Sequence, residues 1–317
     1  MIEWKTDADV LLPLIGMAQE QPSTGQHLQK WLLANKDEID QLLYAHGALL
    51  FRGFGVASAE EFQDVAGVFC SKFGSYLGGN SPRTRVASHV FTSTEYPKEE
   101  RISMHNEASY LKYMPSRILF FCLEPAAKGG ATPLADCRRV LSRIDPQVRS
   151  RFDRSGVRYV NNLHGGMGLG KSWMETYCTK DRKEAEKYLE ADGHAFEWRP
   201  NGTLRIYMHA PATLRHPATQ EGVWINQAEQ WHSSSLDSTL LEDLLLILSE
   251  EELPHNAFFG DGFPLSKSDL ENIRIAMAAE ERVFEWQAGD VLLCDNLLVM
   301  HGRQPYSGDR KILVAMG

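Results

Sequence analysis

The chain has 317 residues, 43% of them hydrophobic and 24% charged, enough to bury a large core as one big domain or two ordinary ones. Aromatic and aliphatic residues run its whole length, which excludes a disordered chain, and its 25 glycines and 14 prolines follow no period, which excludes a collagen-like or low-complexity one. With 33 basic against 42 acidic residues the net charge is −9, and no local basic stripe interrupts it, so nucleic acid is excluded as an expected partner.

The first residues, MIEWKTDADVLLPLIGMAQEQP, carry early acids and a broken apolar stretch, without the positive start and sustained apolar run of a secretory signal. No apolar run reaches membrane-spanning length, and a cytoplasmic protein is expected. The five cysteines (Cys70, Cys122, Cys137, Cys178, Cys294) are an odd number without a CxxC pair, and read as reduced core or near-core thiols. No repeat or linker divides the chain, so a single domain over 1–317 is expected, with helical insertions at roughly 138–220 and 233–280 between its core strands.

In chain order, 27–46 places Leu28, Trp31, Leu32, Ile39, Leu42 and Leu43 at helical spacing, closed by Gly47. GALLFRGF then reads as a buried strand, and Ser58 with Glu61 forms a capping-box pattern that opens a second helix. From Arg117 onward the runs RILFFCLE, VRYVN, TLRIYMHA, GVWIN, RVFEW, GDVLLCDNLLVM and RKILVAM are short, β-rich and turn-bounded. Helices are expected near 182–191 and over STLLEDLLLILSEEE, and SDLENIRIAMAAEE opens on a capping-box pattern at Ser268 and Glu271. Helices in front and many short strands behind predict a mainly β chain with flanking helices, a sandwich or jelly roll; a doubly wound sheet would need regular strand–helix alternation.

Two of the histidine contexts differ from ordinary ones. In Met104-His105-Asn106-Glu107, alternation along a strand would turn His105 and Glu107 to one face, an imidazole and a carboxylate on a common point. In GDVLLCDNLLVMHGRQPYSGDRKILVAM, His301 ends an apolar strand and a turn with Pro305 and Gly308 leads to Arg310 on the last strand. His301 would complete a two-histidine, one-carboxylate triad that leaves positions open on a non-haem Fe(II) for a bidentate co-substrate and dioxygen. A guanidinium on the next strand suits a carboxylate through two parallel hydrogen bonds. Other histidines have plainer explanations: His27 and His46 bracket a helix, His164 lies among glycines and His216 in a turn.

These segments resemble the taurine dioxygenase-like (TauD/TfdA) branch of the Fe(II)/2-oxoglutarate-dependent oxygenases, especially its biosynthetic members similar to clavaminate synthase. The resemblance rests on TSTEYP at 92–97, HNEASY at 105–110, FFCLEPAAKGGATPLAD at 120–136, HP at 216–217 with VWINQ at 223–227, and HGRQPYSGDRKI from His301, and spans roughly residues 50 to 317. It implies a double-stranded β-helix core, iron held by His105, Glu107 and His301, and 2-oxoglutarate and O2 as co-substrates, with Arg310 and Thr132 on the far carboxylate. It implies oxygenation at a C–H bond (hydroxylation, desaturation or cyclisation) of a small amino-acid-like substrate, free or tethered to a carrier protein, in secondary-metabolite biosynthesis. Halogenases of the superfamily lack the acidic ligand, whereas Glu107 is present. The second arginine with which taurine and clavaminate enzymes hold an anionic substrate is missing: Val314, or Ala315 in the shifted register, stands there.

For the substrate, Arg83 in NSPRTR, Ser93 in TSTEYP, Arg215 before HP, and Trp224 and Asn226 in WINQ are candidates. Surface solvation is the ordinary fate of the two arginines, and strand packing the equal alternative for Trp224 and Asn226. The NNLHGGMGLGKSW loop at 161–173, with Met167 and Leu169 among its glycines, is a candidate lid. Two other classes stay open: a non-catalytic jelly-roll binding protein that keeps the triad, which Fe(II)-dependent succinate formation would exclude, and a zinc hydrolase using the same triad with one water, against which the HGR…DR context argues.

Overall fold

The structure, a computed structural model, describes residues 2–5, 12–19, 23–73, 84–93 and 96–317. The chain mixes helices and sheets. A seven-stranded sheet is ordered Ile2–Lys5, Leu14–Ala18, Ala48–Arg52, Val291–Asp295, Arg117–Glu124, Lys311–Met316, Phe91–Thr92. Every pairing in it is antiparallel except that of Leu14–Ala18 with Ala48–Arg52. Its central strands are continuous apolar runs because both faces are covered. Alternate residues divide between two cores: Leu49, Phe51, Leu119, Phe121, Leu293 and Leu313 pack against the N-terminal helices through Leu28, Leu32, Ile39, Leu43 and Phe62. Leu50, Phe120, Leu292, Ile312 and Val314 face the larger core on the other side.

On that second side lie a three-stranded sheet (Ile102–His105, Val299–Arg303, Leu134–Asp136) and a four-stranded sheet (Ala195–Trp198, Leu204–Ala210, Val157–Leu163, His255–Phe259). The segments read as helical insertions therefore carry a sheet of their own, because 157–163, 195–210 and 255–259 alternate apolar side chains toward Trp224, Trp231 and Phe152. Among the described residues no helix is long and apolar enough to cross a membrane.

Several boundaries differ from the sequence expectations, each for a local reason. The helix expected over 27–46 is two helices, Gly25–Ala34 and Lys36–His46, because Asn35 leaves helical geometry (φ −121°) and its side chain donates to Trp31 O at 2.8 Å. Gly47, at φ 78°, ends the second one in the left-handed region. Ser58 does cap Ala59–Ala66, but Glu61 reaches back to Ala57 N and not to Ser58. The last long helix, Lys267–Glu280, is boxed two residues earlier than expected, by Ser266 and Asp269. GDVLLCDNLLVM is two strands separated by a turn at Asn296, and RVFEW is no strand: only Arg282 bridges Leu134, and the run finds no further ladder partner. STLLEDLLLILSEEE is α-helical only over Ser238–Leu245, and its last three residues, Glu250–Glu252, form a separate 3-10 turn. All five cysteines are free thiols, four buried and Cys178 exposed.

Candidate metal centre

His105 is the last residue of Ile102–His105, and His301 pairs directly opposite it on Val299–Arg303. Their rings lie 4.7 Å apart, centroid to centroid. Glu107 sits not on the strand but in the turn beyond it, where Ala108 takes φ 57°. The turn still delivers the carboxylate: Glu107 Oε2 is 3.9 Å from His301 Nε2, and one donor atom from each of the three residues lies within 4.8 Å of the others.

The local sequence explains the turn. Asn106 points away from Glu107 into the protein, where its amide donates to Asn296 O at 2.7 Å. Asn296 clamps Glu107 from both sides: its Oδ1 accepts from Glu107 N at 2.9 Å, and its Nδ2 donates to Glu107 O at 3.0 Å and Pro115 O at 2.8 Å. Beside it, buried Asp295 takes an ion pair from Arg117 at 2.5 Å and lies 3.2 Å from His216 Nε2, within hydrogen-bond reach, so the turn between the two C-terminal strands is held by charge as well as by amides. His216, a turn histidine by its sequence, thus braces the centre from behind.

The donor set fits a ferrous ion. Two imidazoles and one carboxylate suit a divalent transition metal with open positions. His105 Nδ1 lies 2.8 Å from Ser103 O, and a donated hydrogen bond to that carbonyl leaves Nε2 as the ligating nitrogen. Phe120 packs edge-on to His301 at 5.0 Å and keeps that side apolar.

Two cavities meet at this centre. A smaller one is lined by Ser93, Ile102, His105, Phe120, Thr132, His301, Gly302, Arg303, Arg310 and Ile312. Arg310, just ahead of the last strand, donates from Nε to Gly130 O at 2.8 Å and from Nη1 to Ser93 Oγ at 3.4 Å. Gly130 is required there: at φ 71°, an added Cβ would lie 2.9 Å from Arg310 Cδ. Burial, then the like charge of Arg303, pushes the Arg310 guanidinium down to about 10, so it stays cationic at neutral pH. No acid within ion-pair reach compensates it among the described residues; the buried Asp290 pairs with Arg52 instead. Thr132 is buried in the same wall and its hydroxyl accepts from Trp286 Nε1 at 3.1 Å.

The larger cleft, about 1720 Å³, opens on the other side of His105 and Glu107 and is lined by Tyr96, Arg101, Tyr110, Asn161, Lys171, Gln230, Trp231 and His255 among others. Asn161 and His255 face each other across two strands. Burial pushes the His255 imidazole down, favouring the neutral ring.

The substrate candidates are dispersed. Ser93 lines the smaller cavity beside Arg310, not the cleft. Trp224 is fully buried against Phe152, and Asn226 spends its amide on Ala212 O and Ala228 N, so both serve packing. Their neighbour Gln227 is the one that lines the cleft. Arg215 is exposed and donates to Gln220 O, outside both cavities. Arg83 lies outside the described residues. In the 161–173 loop Gly170 and Lys171 line the cleft, while Met167 is 97% exposed. Sequence reasoning missed Asn296, His255, Gln230 and Arg303; only Asn296 carried a signal, an Asp-Asn turn pair between two apolar runs.

Comparison with known proteins agrees with this geometry. The sequence model of the family described as taurine catabolism dioxygenase TauD, TfdA family, matches residues 12–316. The dapdiamide synthesis protein DdaC of Enterobacter agglomerans is 37% identical over 278 residues, covering 88% of this chain and 84% of the relative. The clavaminate synthase-like protein of Arabidopsis thaliana is 33% identical over 292 residues, covering 89% and 84%. In fold, the crystal structure of PvcB from Pseudomonas aeruginosa is similar with a TM-score of 0.53 at 15% identity, over 96% of this chain and 84% of that one.

Proposed function

Since the chain belongs to the TauD/TfdA family and is an Fe(II)- and 2-oxoglutarate-dependent dioxygenase, we propose how its two cavities divide the work. The smaller cavity takes 2-oxoglutarate, and the larger cleft takes a small amino-acid-like substrate whose C–H bond is oxidised. The observation that carries this reading is the shared wall: His105 lines both cavities, His301 the smaller and Glu107 the larger. One ion held by His105, Glu107 and His301 would therefore touch both compartments.

Bound iron supplies dioxygen activation coupled to loss of carbon dioxide from 2-oxoglutarate. The protein's own part is placement. Arg310, with Ser93 and Thr132 beside it, takes the far carboxylate of the co-substrate in a pocket that is lined by cations and, among the described residues, by no acid. Phe120, Ile102 and Ile312 keep that pocket dry. On the cleft side Lys171 and Arg101, the latter paired with Glu281, line the wall, and Asn161, Gln230 and His255 supply hydrogen-bonding groups. This suits a carboxylate-bearing, amino-acid-like molecule. A sulfonate held by a second arginine on the last strand has no support, since Val314 and Ala315 are buried and apolar.

The strands on either side of the centre support a double-stranded β-helix core within one domain over the whole chain. Dapdiamide synthesis in the name of DdaC, and the isonitrile pathway of PvcB, described as an Fe, alpha-ketoglutarate dependent oxygenase, support a biosynthetic role. The substrate is free or carrier-tethered and the protein cytoplasmic in this reading. The test is anaerobic loading with Fe(II) and 2-oxoglutarate, then a screen of amino acids and their amides, free and carrier-bound, for accelerated succinate release on admitting oxygen. Fe(II)-dependent succinate formation that no candidate accelerates would remove the substrate class; hydrolysis without 2-oxoglutarate would remove the oxidation itself.

A further inference from the structure

Two residues beyond His301 stands a second arginine in the wall of the smaller cavity. Arg303 is 5% exposed. Its two terminal nitrogens are spent on backbone carbonyls, Nη1 donating to Tyr96 O at 2.9 Å and Nη2 to Pro97 O and, at 2.9 Å, to Glu100 O. Its Nε is buried with no hydrogen-bonding partner among the described residues. Among the described residues no carboxylate is in ion-pair contact with it, Glu99 acting on it only from a distance, yet it shares the wall with the Arg310 cation. Only the ring of Tyr306, 5.2 Å from Arg303 and 5.5 Å from Arg310, lies against both guanidiniums.

The position is built in. Register shifts between His301 and Arg303, which pairs with Ile102, and an added Cβ on the intervening Gly302 would meet Ile102 O at 2.6 Å. The bulge thus needs glycine, and it sets Arg303 under the segment 96–102. Tyr96, Arg101 and Ile102 of that segment line the larger cleft, and its middle is tied again by Tyr306 N donating to Lys98 O at 2.9 Å.

We propose that Arg303 is a positioning residue that couples occupancy of the smaller cavity to the shape of the larger cleft, a role resting on the assignment of 2-oxoglutarate to that cavity. Two like charges share a low-dielectric wall that, among the described residues, holds no carboxylate, so the arginine is held on its three carbonyls against repulsion. A dicarboxylate entering between them removes the repulsion and offers the idle Nε an acceptor. The fork then settles on the carbonyls of 96–100 and firms the cleft wall. The anion thus binds the two wall states with different affinity, which a coupling requires, and by reciprocity a substrate resting on the 96–101 wall tightens 2-oxoglutarate.

The experiment uses the full chain loaded with Mn(II), with 2-oxoglutarate as the probe. Calorimetry gives its affinity, and hydrogen exchange of amides in 96–104 is followed with and without it. In wild type, 2-oxoglutarate should slow exchange there roughly tenfold. In Arg303→Met, 2-oxoglutarate should still bind, weakened roughly three- to tenfold, and the slowing should vanish. Arg303→Lys keeps the charge but cannot span three carbonyls, so affinity should stay near wild type while most of the slowing is lost; if the methionine variant does not fold, the lysine variant carries the test. A merely structural brace would raise exchange in the free protein and leave the increment on adding 2-oxoglutarate intact. Binding that depends on Arg310, with slowing that survives in the Arg303 variants, overturns the coupling alone. Absence of binding in wild type, or equal binding by Arg310→Ala, overturns the cavity assignment and the coupling together.

Discussion

The smaller cavity is walled by side chains on or beside strands of the seven- and three-stranded sheets, from Phe120, Thr132, His301, Arg303 and Ile312, with Phe120 and His301 paired on both sides. The larger cleft draws on the four-stranded sheet, the short helix Ala228–Trp231, the 164–171 loop and the segment after Ser235. One wall is apolar and cationic and fits a single small dianion; the other mixes aromatic, amide and imidazole groups. On the proposed division of labour, chemistry common to many substrates sits where the backbone is most constrained, and discrimination on segments free to vary without moving the triad. Substitutions on the two sides should therefore differ in kind as well as in size.

The largest effect is expected where the two regions touch. His105→Ala, Glu107→Ala or His301→Ala removes a ligand, which should exceed the roughly 10- to 100-fold cost of losing only a supporting hydrogen bond. Fe(II)-dependent succinate formation should vanish while the circular dichroism spectrum stays native. Full turnover in a folded His301→Ala protein would dissolve the distinction between the cavities, because nothing would then join them.

Next comes the smaller cavity alone. Arg310→Ala strips a buried guanidinium from its carboxylate, a loss of about 2–5 kcal/mol or roughly 30- to several-thousand-fold in 2-oxoglutarate affinity. Lys311→Ala, one residue on and exposed, should do almost nothing. The charge must be present for binding, so affinity measured across pH should be level to about pH 9 and fall as pH rises past about 10, where free Arg310 loses its proton. A larger effect at Lys311 would shift the functional arginine by one residue.

The cleft should respond differently. His255→Leu or Asn161→Ala should raise the substrate KM by roughly 3- to 12-fold, the worth of a hydrogen bond, and leave substrate-free decay of 2-oxoglutarate unchanged. The 164–171 loop sharpens the point: Gly170 lines the cleft but Met167 points to solvent. Cleavage there by a protease should slow only when metal, 2-oxoglutarate and true substrate are all present. Equal cleavage under all conditions would remove the lid.

The two regions were also unequally legible in the sequence. His105, Glu107, His301 and Arg310 stand out by residue type and position and Thr132 through the family resemblance; the structure brings the three triad residues together and lines the adjoining cavity with Thr132 and Arg310. Glu107 shows the limit of periodicity even there: alternation placed it on a strand, whereas a turn clamped by Asn296 delivers it. The cleft residues His255, Asn161 and Gln230 stand far apart in sequence, in runs whose composition speaks only of strand or helix. Their convergence depends on how the four-stranded sheet docks, which no local pattern encodes. The substrate candidates of WINQ show the same limit: Trp224 and Asn226 are packed inward while Gln227 lines the cleft, and the run itself does not say which neighbour faces it.

The smallest effect is a pH dependence belonging to the cleft side. Burial disfavours the charged ring of His255, so its proton affinity in the folded protein lies below the ordinary value of 6.5, and His194 and His232 are lowered by burial too. The unfolded chain then binds more protons than the folded one as pH falls below about 6.5, and stability declines with falling pH across the window between the two affinities. Above that window the histidines are neutral in both states and contribute no slope. His255→Gln keeps a polar group of similar reach but cannot titrate. Its melting temperature should sit at a constant offset from wild type between pH 7 and 8, and the offset should shrink or invert, by a few degrees at most, as pH falls to 5.5. The smaller cavity's cations do not titrate in this range, so Arg310→Ala should run parallel to wild type throughout. Parallel curves for His255→Gln as well would mean that its ring protonates equally in both states, and that the cleft is wet enough at this point to hold a charged imidazole.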